Sequence, residues 1–262
     1  MDSANLISIV MPTYNSESHV QDSIQSVINQ SLHNWELIIV DNCSTDGTVD
    51  IIKKIQSSHS NIQLYSTDFN SGGPATPRNI GIKESLGEFL AFIDSDDVWH
   101  KEKLEVQSKY LDKYNLVCSS ADYVDNFGCV IKTTSKNNDI ELTLCSVVCK
   151  NRIITSSVIV HKDLFLKIMF DSDPMLIGFE DYNAYIKYIS QFGSGCLIGK
   201  PLLSWRVSDS SLGLSISGKK RLLSSLYCLS KSCLAIDGYQ CVITGILVRL
   251  RSYLKHLILH LK

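Results

Sequence analysis

Three aspartates fall within four positions, Asp94, Asp96 and Asp97 in the stretch FIDSDDVW, directly after the apolar run Leu90–Ile93. Each ionised carboxylate raises the cost of ionising its neighbours, so three at the end of a buried strand are unfavourable unless a cation offsets the repulsion. Carboxylates two residues apart at a strand end point into the same space. That suits a hard dication such as Mg2+ or Mn2+, which also binds phosphate oxygens. The bland alternative is a solvated acidic turn that caps the next helix. The buried approach and the third acid exceed what one cap requires.

The residues around the cluster define the elements that must hold it. LISIVM (6–11), stopped by Pro12, reads as a buried strand, as does WELIIVD (35–41). NIQLYST is a weaker third strand and EFLAFID, which delivers Asp94, the fourth. Between them lie helical patterns. Val20, Ile24, Val27 and Ile28 share a face, with Ser16 or Ser18 available as N-cap; Val49, Ile52 and Ile55 share another after STDGT, where Asp46 and Gly47 form the cap; and GGPATPRNIGIKESLG joins a loop to a helix. Alternating strands and helices imply right-handed crossovers and a mostly parallel sheet, with ligands bound beyond the carboxyl ends of its strands. Asp41 and Asn42 sit at one such end and the aspartate cluster at another. After a helix near 100–114 the pattern shortens to NLVCSSADYV, CVIKTT and IITSSVIV (153–160), read as strands, and a helix from FEDYNAYIKYISQFG with Tyr185, Tyr188, Ile189 and Phe192 on one face. This second half predicts a smaller, mixed-sheet subdomain.

Composition excludes several classes. With 262 residues, 44% hydrophobic and 20% charged, the chain can bury a sizeable core and is not of the disordered type. Nine cysteines without CxxC spacing, several in apolar stretches (Cys118, Cys145, Cys149, Cys233, Cys241), predict reduced core thiols in a cytosolic protein. The N-terminus does not read as a secretory signal, and no run approaches the roughly 18 apolar residues of a transmembrane helix. The formal charge of −2 hides an asymmetry: from Lys219 onward there are eight Lys or Arg against the single acid Asp237.

AFIDSDDV also fits the nucleophile loop of the haloacid-dehalogenase-type phosphatases, with Asp94 as nucleophile and Asp96 as acid/base. That family carries the loop on its first strand, whereas three βα units precede it here. Those units have a resemblance of their own. ISIVMPTYN, ELIIVDNCSTDGT, PRNIGI, FIDSDD, GFED and PLLSWRVSDSSL occur in the order and at about the intervals found in the family-2 inverting glycosyltransferases of the GT-A fold, from residue 7 to about 213.

The resemblance implies a role for each piece. Pro12 and Tyr14 line the nucleotide base, the tyrosine stacking on uracil. The family usually has two acids after the second strand, the second accepting the uracil N3 proton. Asp41 is present here, but Asn42 stands in the second place, where its carbonyl oxygen can still accept that bond. Arg78 approaches the donor diphosphate, where a guanidinium can fork onto phosphate oxygens; its alternative is a surface salt bridge. Asp96 serves the ribose and metal, Asp97 coordinates the metal and Asp94 supports them. Asp181 matches the base that accepts the acceptor's proton, and Glu180 orients the acceptor or Asp181. An acidic helix start favoured by the macrodipole is the alternative for this pair. Trp205 and Arg206 close over the diphosphate. Ser208 replaces a histidine common in relatives, which leaves the metal to carboxylates, diphosphate and water.

The expectation is an α/β protein of GT-A fold: a nucleotide-sugar half (1–105), an acceptor half (106–218) and a basic amphipathic helical tail (219–262). Its activity is Mn2+- or Mg2+-dependent inverting transfer of a hexose or N-acetylhexosamine from a UDP-sugar to a polyprenyl-diphosphate-linked saccharide, in surface-polysaccharide (O-antigen type) assembly. Leu250, Leu254, Leu257, Ile258 and Leu261, with Arg249, Arg251, Lys255 and Lys262, suit an anionic membrane interface on the cytoplasmic face of the inner membrane, or a helix docked on the domain or on a second subunit as a homodimer. No basic groove for nucleic acid is found. The alternatives are the phosphatase and a nucleotide-sugar-binding protein without turnover.

Overall fold

The computed structural model describes residues 5–207, 218–233 and 243–247. The chain runs β1 (Ile7–Thr13), α1 (Val20–Ile28), β2 (Trp35–Asp41), α2 (Thr48–Gln56), β3 (Ile62–Ser66), α3 (Ala75–Glu84), β4 (Phe89–Phe92), β5 (Val98–Trp99), α4 (Lys103–Ser108), β6 (Leu116–Val124), β7 (Val130–Thr133) and β8 (Ile140–Leu142). It continues with α5 (Leu144–Cys149), β9 (Ile159–His161), α6 (Lys162–Phe165), α7 (Glu180–Phe192), β10 (Gly195–Arg206) and a last described long helix, α8 (Gly218–Cys233).

The strands form one sheet in the order β3-β2-β1-β4-β9-β6-β10-β5, with β7 paired to β6 and β8 to β10. β3, β2, β1 and β4 are parallel, and β9 joins β4 to β6 by antiparallel pairing on both sides. The mixed pairing expected of the second half is therefore present as an extension of the first sheet, not as a separate one. Side chains alternate across it, as the two-residue period of a strand requires. Ile7, Ile9 and Met11 of β1 and Phe89, Ala91 and Ile93 at β4 pack with α1 residues Val20, Ile24 and Val27 on one face. Val10, Leu90 and Phe92 pack with Ile82, Phe165, Tyr185 and Tyr188 on the other.

Several local expectations are corrected. Pro12 does not end its strand; it pairs with Val40. Val10 C=O accepts from Ile93 and Thr13 C=O from Asn42, so Pro12, with the parity of Val10, turns its missing N–H toward β4 beyond the last β1–β4 pair, Val10–Phe92. Neither Ser16 nor Ser18 caps α1, whose N-cap position is His19; the Ser16 hydroxyl is spent on Tyr14 O and Ser95 Oγ. The helix read near 100–114 contracts to α4, and IITSSVIV is mostly not strand: a 3-10 turn at Thr155–Ser157 precedes the short β9. Cys43, Cys118, Cys129, Cys149, Cys196 and Cys228 are free thiols, but Cys145 is disulfide-bonded, against the expectation of reduced thiols throughout.

α8 packs on α7. Asn183 of α7 donates to Ser232 Oγ at 2.9 Å, and Lys231 reaches both Asp171 and Asp173 at 2.8 Å in the loop before α7. The start of the basic segment is thus docked on the domain. Ser208, Asp237 and the predicted helix face from Arg249 to Lys262 lie outside the described residues. Among the described residues no helix is long and apolar enough to cross a membrane.

Candidate active site

The site gathers at the carboxyl ends of β1, β2 and β4. α3 brings Arg78 there. A Cβ on Gly81 would stand 2.6 Å from Val10 Cγ1, so only glycine lets this helix sit so close to β1. Arg78, three residues earlier on the same helix, is 3% exposed. Its NH2 donates to Asp94 Oδ1 at 2.7 Å and its NH1 to Glu180 Oε1 at 3.0 Å, and the guanidinium lies 5.3 Å from the Phe170 ring. Burial disfavours the arginine's charge, but Asp94 and then Glu180 outweigh it, and the group stays protonated. Arg78 is therefore a clamp between the acidic loop and α7, not a free fork for phosphate.

In the acidic loop, Asp94 N–H donates to Ser156 Oγ at 3.0 Å and Asp97 N–H to Asp94 O at 3.1 Å. Asp97 is 1% exposed; its Oδ1 accepts from Arg206 N–H at 2.9 Å, while its Oδ2 is buried without a partner. Burial, then the charges of Asp96 and Asp94, raise the Asp97 carboxyl well above its usual range. Burial and Asp94 push Asp96 up to about 6. Among the described residues no three His, Cys, Asp or Glu side chains form a ready-made metal cluster, and the Asp94 carboxylate is already paired with Arg78. An orphaned buried oxygen on Asp97 beside a half-buried Asp96 nevertheless fits a dication that takes its remaining ligands from phosphate and water.

Glu180 and Asp181 open α7, where unpaired N–H groups favour carboxylates. Glu180 Oε2 accepts from Gly178 N–H at 2.7 Å; burial and the neighbouring Asp181 push its carboxyl up to about 7 against the opposing pull of Arg78. Asp181 Oδ2 accepts from Thr155 Oγ1 at 2.7 Å and Oδ1 from Tyr182 N–H at 2.6 Å. Burial raises Asp181, opposed by Arg78 and by the Thr155 bond. Two bridges thus join residues 180–181 to the loop at 94–97, one through Arg78 and one through the 155–157 turn.

The remaining predicted residues flank this centre. Tyr14, just past β1, is 48% exposed and offers an open ring face. Asn15 follows at φ 47°, a backbone conformation asparagine tolerates, and its side-chain oxygen accepts from Thr45 N–H at 2.8 Å, tying this loop to the one after β2. Asn42 is committed internally: its Oδ1 accepts from Thr67 Oγ1, Ser71 N–H and Ser71 Oγ, each at 3.1 Å. Asp41 Oδ2 accepts from Ser44 N–H, but its Oδ1 is buried with no partner. Arg206 is likewise anchored, Nε to Asp96 O and NH1 to Asp125 O and Asn126 O, while the Trp205 ring stands edge-on to Tyr123. These bonds hold the arginine as a brace under the acidic loop.

A cleft of about 1200 Å³ opens between α1, the turn at 125–128 and β10, walled by His19, Asp22, Trp99 and Arg206. Of the predicted site residues, Arg206 lines it, beside Val98 and Trp99 of the segment that follows Asp97. On the far side a small depression is bounded by Ser71–Thr76, Asp171–Asp173, Ile177 and Glu180. Sequence reasoning missed Thr155 and Ser156. Their signal was three hydroxyl residues together inside an apolar run.

Residues 8–161 match the family described as Glycosyl transferase family 2. Escherichia coli WfgD, a UDP-Glc:alpha-D-GlcNAc-diphosphoundecaprenol beta-1,3-glucosyltransferase, is 33% identical over 183 residues, which cover 64% of this chain and 71% of that protein. Staphylococcus aureus TarS in complex with UDP-GlcNAc superposes with a TM-score of 0.73 at 22% identity, over 94% of this chain and 73% of that one. In sequence the match to full-length TarS, a poly(ribitol-phosphate) beta-N-acetylglucosaminyltransferase, spans only 19% of its length. A Pyrobaculum calidifontis mannosyltransferase with GDP-Man and Mn2+ superposes at 0.69 and 16% identity, over 94% of this chain and 70% of that one.

Proposed function

Since the chain belongs to glycosyl transferase family 2, we propose that it is a metal-dependent inverting transferase moving a hexose or N-acetylhexosamine from a UDP-sugar to a hydroxyl of a lipid-linked saccharide in surface-polysaccharide assembly. The observation that carries this reading is the double bridge between the acidic loop and the start of α7, some 85 positions apart: Arg78 bonds Asp94 and Glu180, and the 155–157 turn bonds Asp94 and Asp181. The phosphatase reading does not survive family membership.

In this reading Asp96 and Asp97 would hold Mn2+ or Mg2+, which would supply positive charge to offset that of the diphosphate leaving group. The Mn2+ of the Pyrobaculum enzyme and the raised Asp96 and Asp97 carboxyls support that assignment. Tyr14 stacks on the base. Asp41 Oδ1, buried and unpartnered, accepts the base imide proton in place of the committed Asn42. Asp181 takes the proton of the acceptor hydroxyl as that oxygen bonds to the anomeric carbon and the bond from that carbon to the diphosphate breaks. Glu180, held by Arg78, keeps the start of α7 in place. The diphosphate-linked acceptor of WfgD and the UDP-GlcNAc of TarS support the substrate classes.

The test is a panel of sugar nucleotides scored for UDP release with Mn2+ and a synthetic diphosphate-lipid saccharide. Asp181→Asn is expected to abolish transfer while retaining donor binding, and Asp97→Ala to weaken metal-assisted donor binding. Because the base works only when ionised and burial raises its pKa, the rate should fall on acidification at a pH above the ordinary aspartate value of about 3.9. Donor binding without transfer to any acceptor would replace the enzyme with a binding protein.

A further inference from the structure

The 155–157 turn interrupts what the sequence presents as a strand, and it does so with three buried hydroxyl residues, Thr155 at 4% exposure and Ser156 and Ser157 at 0%. Buried hydroxyls are costly without partners, so a run of them is retained where the partners are defined. Here they are. Thr155 Oγ1 donates to Asp181 Oδ2 at 2.7 Å, Ser156 Oγ accepts from Asp94 N–H at 3.0 Å, and Ser157 Oγ donates to Ile154 O at 2.7 Å.

The turn is braced from beneath by the segment that follows the acidic loop. Trp99 Nε1 donates to Ser156 O at 2.6 Å and Gln107 Nε2 to Ser157 O at 2.8 Å. Gln107 is itself held by the buried Lys103, whose Nζ donates to Gln107 Oε1 at 2.6 Å and lies 4.0 Å from the Trp99 ring. The Ser156 and Ser157 carbonyls are therefore fixed by buried side chains.

We infer that Thr155 and Ser156 are positioning residues that fix the span between the Asp181 carboxylate and the acidic loop, so that the incoming hydroxyl and the departing diphosphate are held on opposite sides of one sugar carbon. Thr155 aims the base. Ser156 sets the strand-end backbone from which the metal-binding carboxylates project. This inference rests on the transferase reading and assigns roles to residues that the family motifs do not include.

The experiment compares Thr155→Val, Thr155→Ser and Ser156→Ala in the full-length protein, measuring kcat, donor KM and melting temperature. Losing one hydrogen bond to a charged base is expected to lower kcat about 10- to 100-fold in Thr155→Val with donor KM changed less than about 2-fold, and Thr155→Ser to restore most of it. Ser156→Ala is expected to raise donor KM more than it lowers kcat. Unchanged kcat in Thr155→Val, or kcat and KM falling away together with no rescue by serine, would overturn the inference. Should the valine variant fail to fold, Thr155→Cys provides a weaker donor: lower kcat than Thr155→Ser supports the role, and equal kcat refutes it. Transfer surviving in Asp181→Asn sinks the transferase mechanism itself, whatever the Thr155 variants do.

Discussion

Arg78 shows how a residue's role can depart from its motif. By type it is a phosphate fork; in place, its NH1 and NH2 are given to Glu180 and Asp94 and its flat face lies against Phe170. Removing one partner of a buried ion pair leaves the others uncompensated, so Arg78→Ala is expected to cost about 3–5 kcal/mol, read from urea unfolding. Arg78→Lys keeps the charge but cannot span both carboxylates, and should lose less stability while still lowering transfer. Asp94, Asp96 and Asp97 stood out in the sequence as like charges clustered after an apolar run, whereas Glu180 and Asp181 were singled out only through the resemblance at GFED. The partners of Arg78, Arg206 and Asn42 were not legible. Which hydrogen bond such a side chain makes depends on neighbours 16 to 110 positions away, and a motif carries no record of them.

Among the elements, β1, β2, β4 and α7 were readable because their hydrophobic periods match their burial. β10 was not: Gly199 and Pro201 interrupt its pattern, and its pairing with β6 shifts register between Ile198 and Pro201 and again before Ser204. The hydroxyl turn was hidden for the opposite reason, since isoleucines and valines on both sides made it look extended. The docking of α8 carries its own prediction. Lys231 and Tyr227 hold Asp173 well below the usual carboxylate range, and Lys231 lowers Asp171 against the effect of burial. An acid whose folded pKa is depressed contributes stability that is present above its unfolded pKa and is lost as pH falls through the folded one. The wild type should therefore lose melting temperature on going from pH 6 to pH 3, and Lys231→Met, less stable at pH 6, should lose less. A parallel decline in both proteins would place the acid sensitivity elsewhere.

The chain as a whole carries its charge unevenly, with the excess of Lys and Arg confined to the segment from 219. Lysines and arginines attract anionic lipid at roughly 1 kcal/mol each near the surface. Replacing Arg249, Arg251, Lys255 and Lys262 together with glutamine leaves α8 untouched and should abolish sedimentation with phosphatidylglycerol vesicles at low salt. Equal sedimentation of wild type and variant would remove the membrane from the account. The sheet order was the least accessible feature, because β9 lies far along the chain yet inserts beside β4, and no local pattern announces that pairing.

That insertion has a mechanical outcome. β9 joins the parallel strands β3-β2-β1-β4 to β6 and β10 in one sheet, so among the described strands the backbone has no seam along which two lobes could swing apart. The stretches at 67–74 and 171–179 lie outside that sheet, before α3 and α7. Grafting those stretches from a relative should change which acceptor hydroxyl is glycosylated while the nucleotide consumed stays the same.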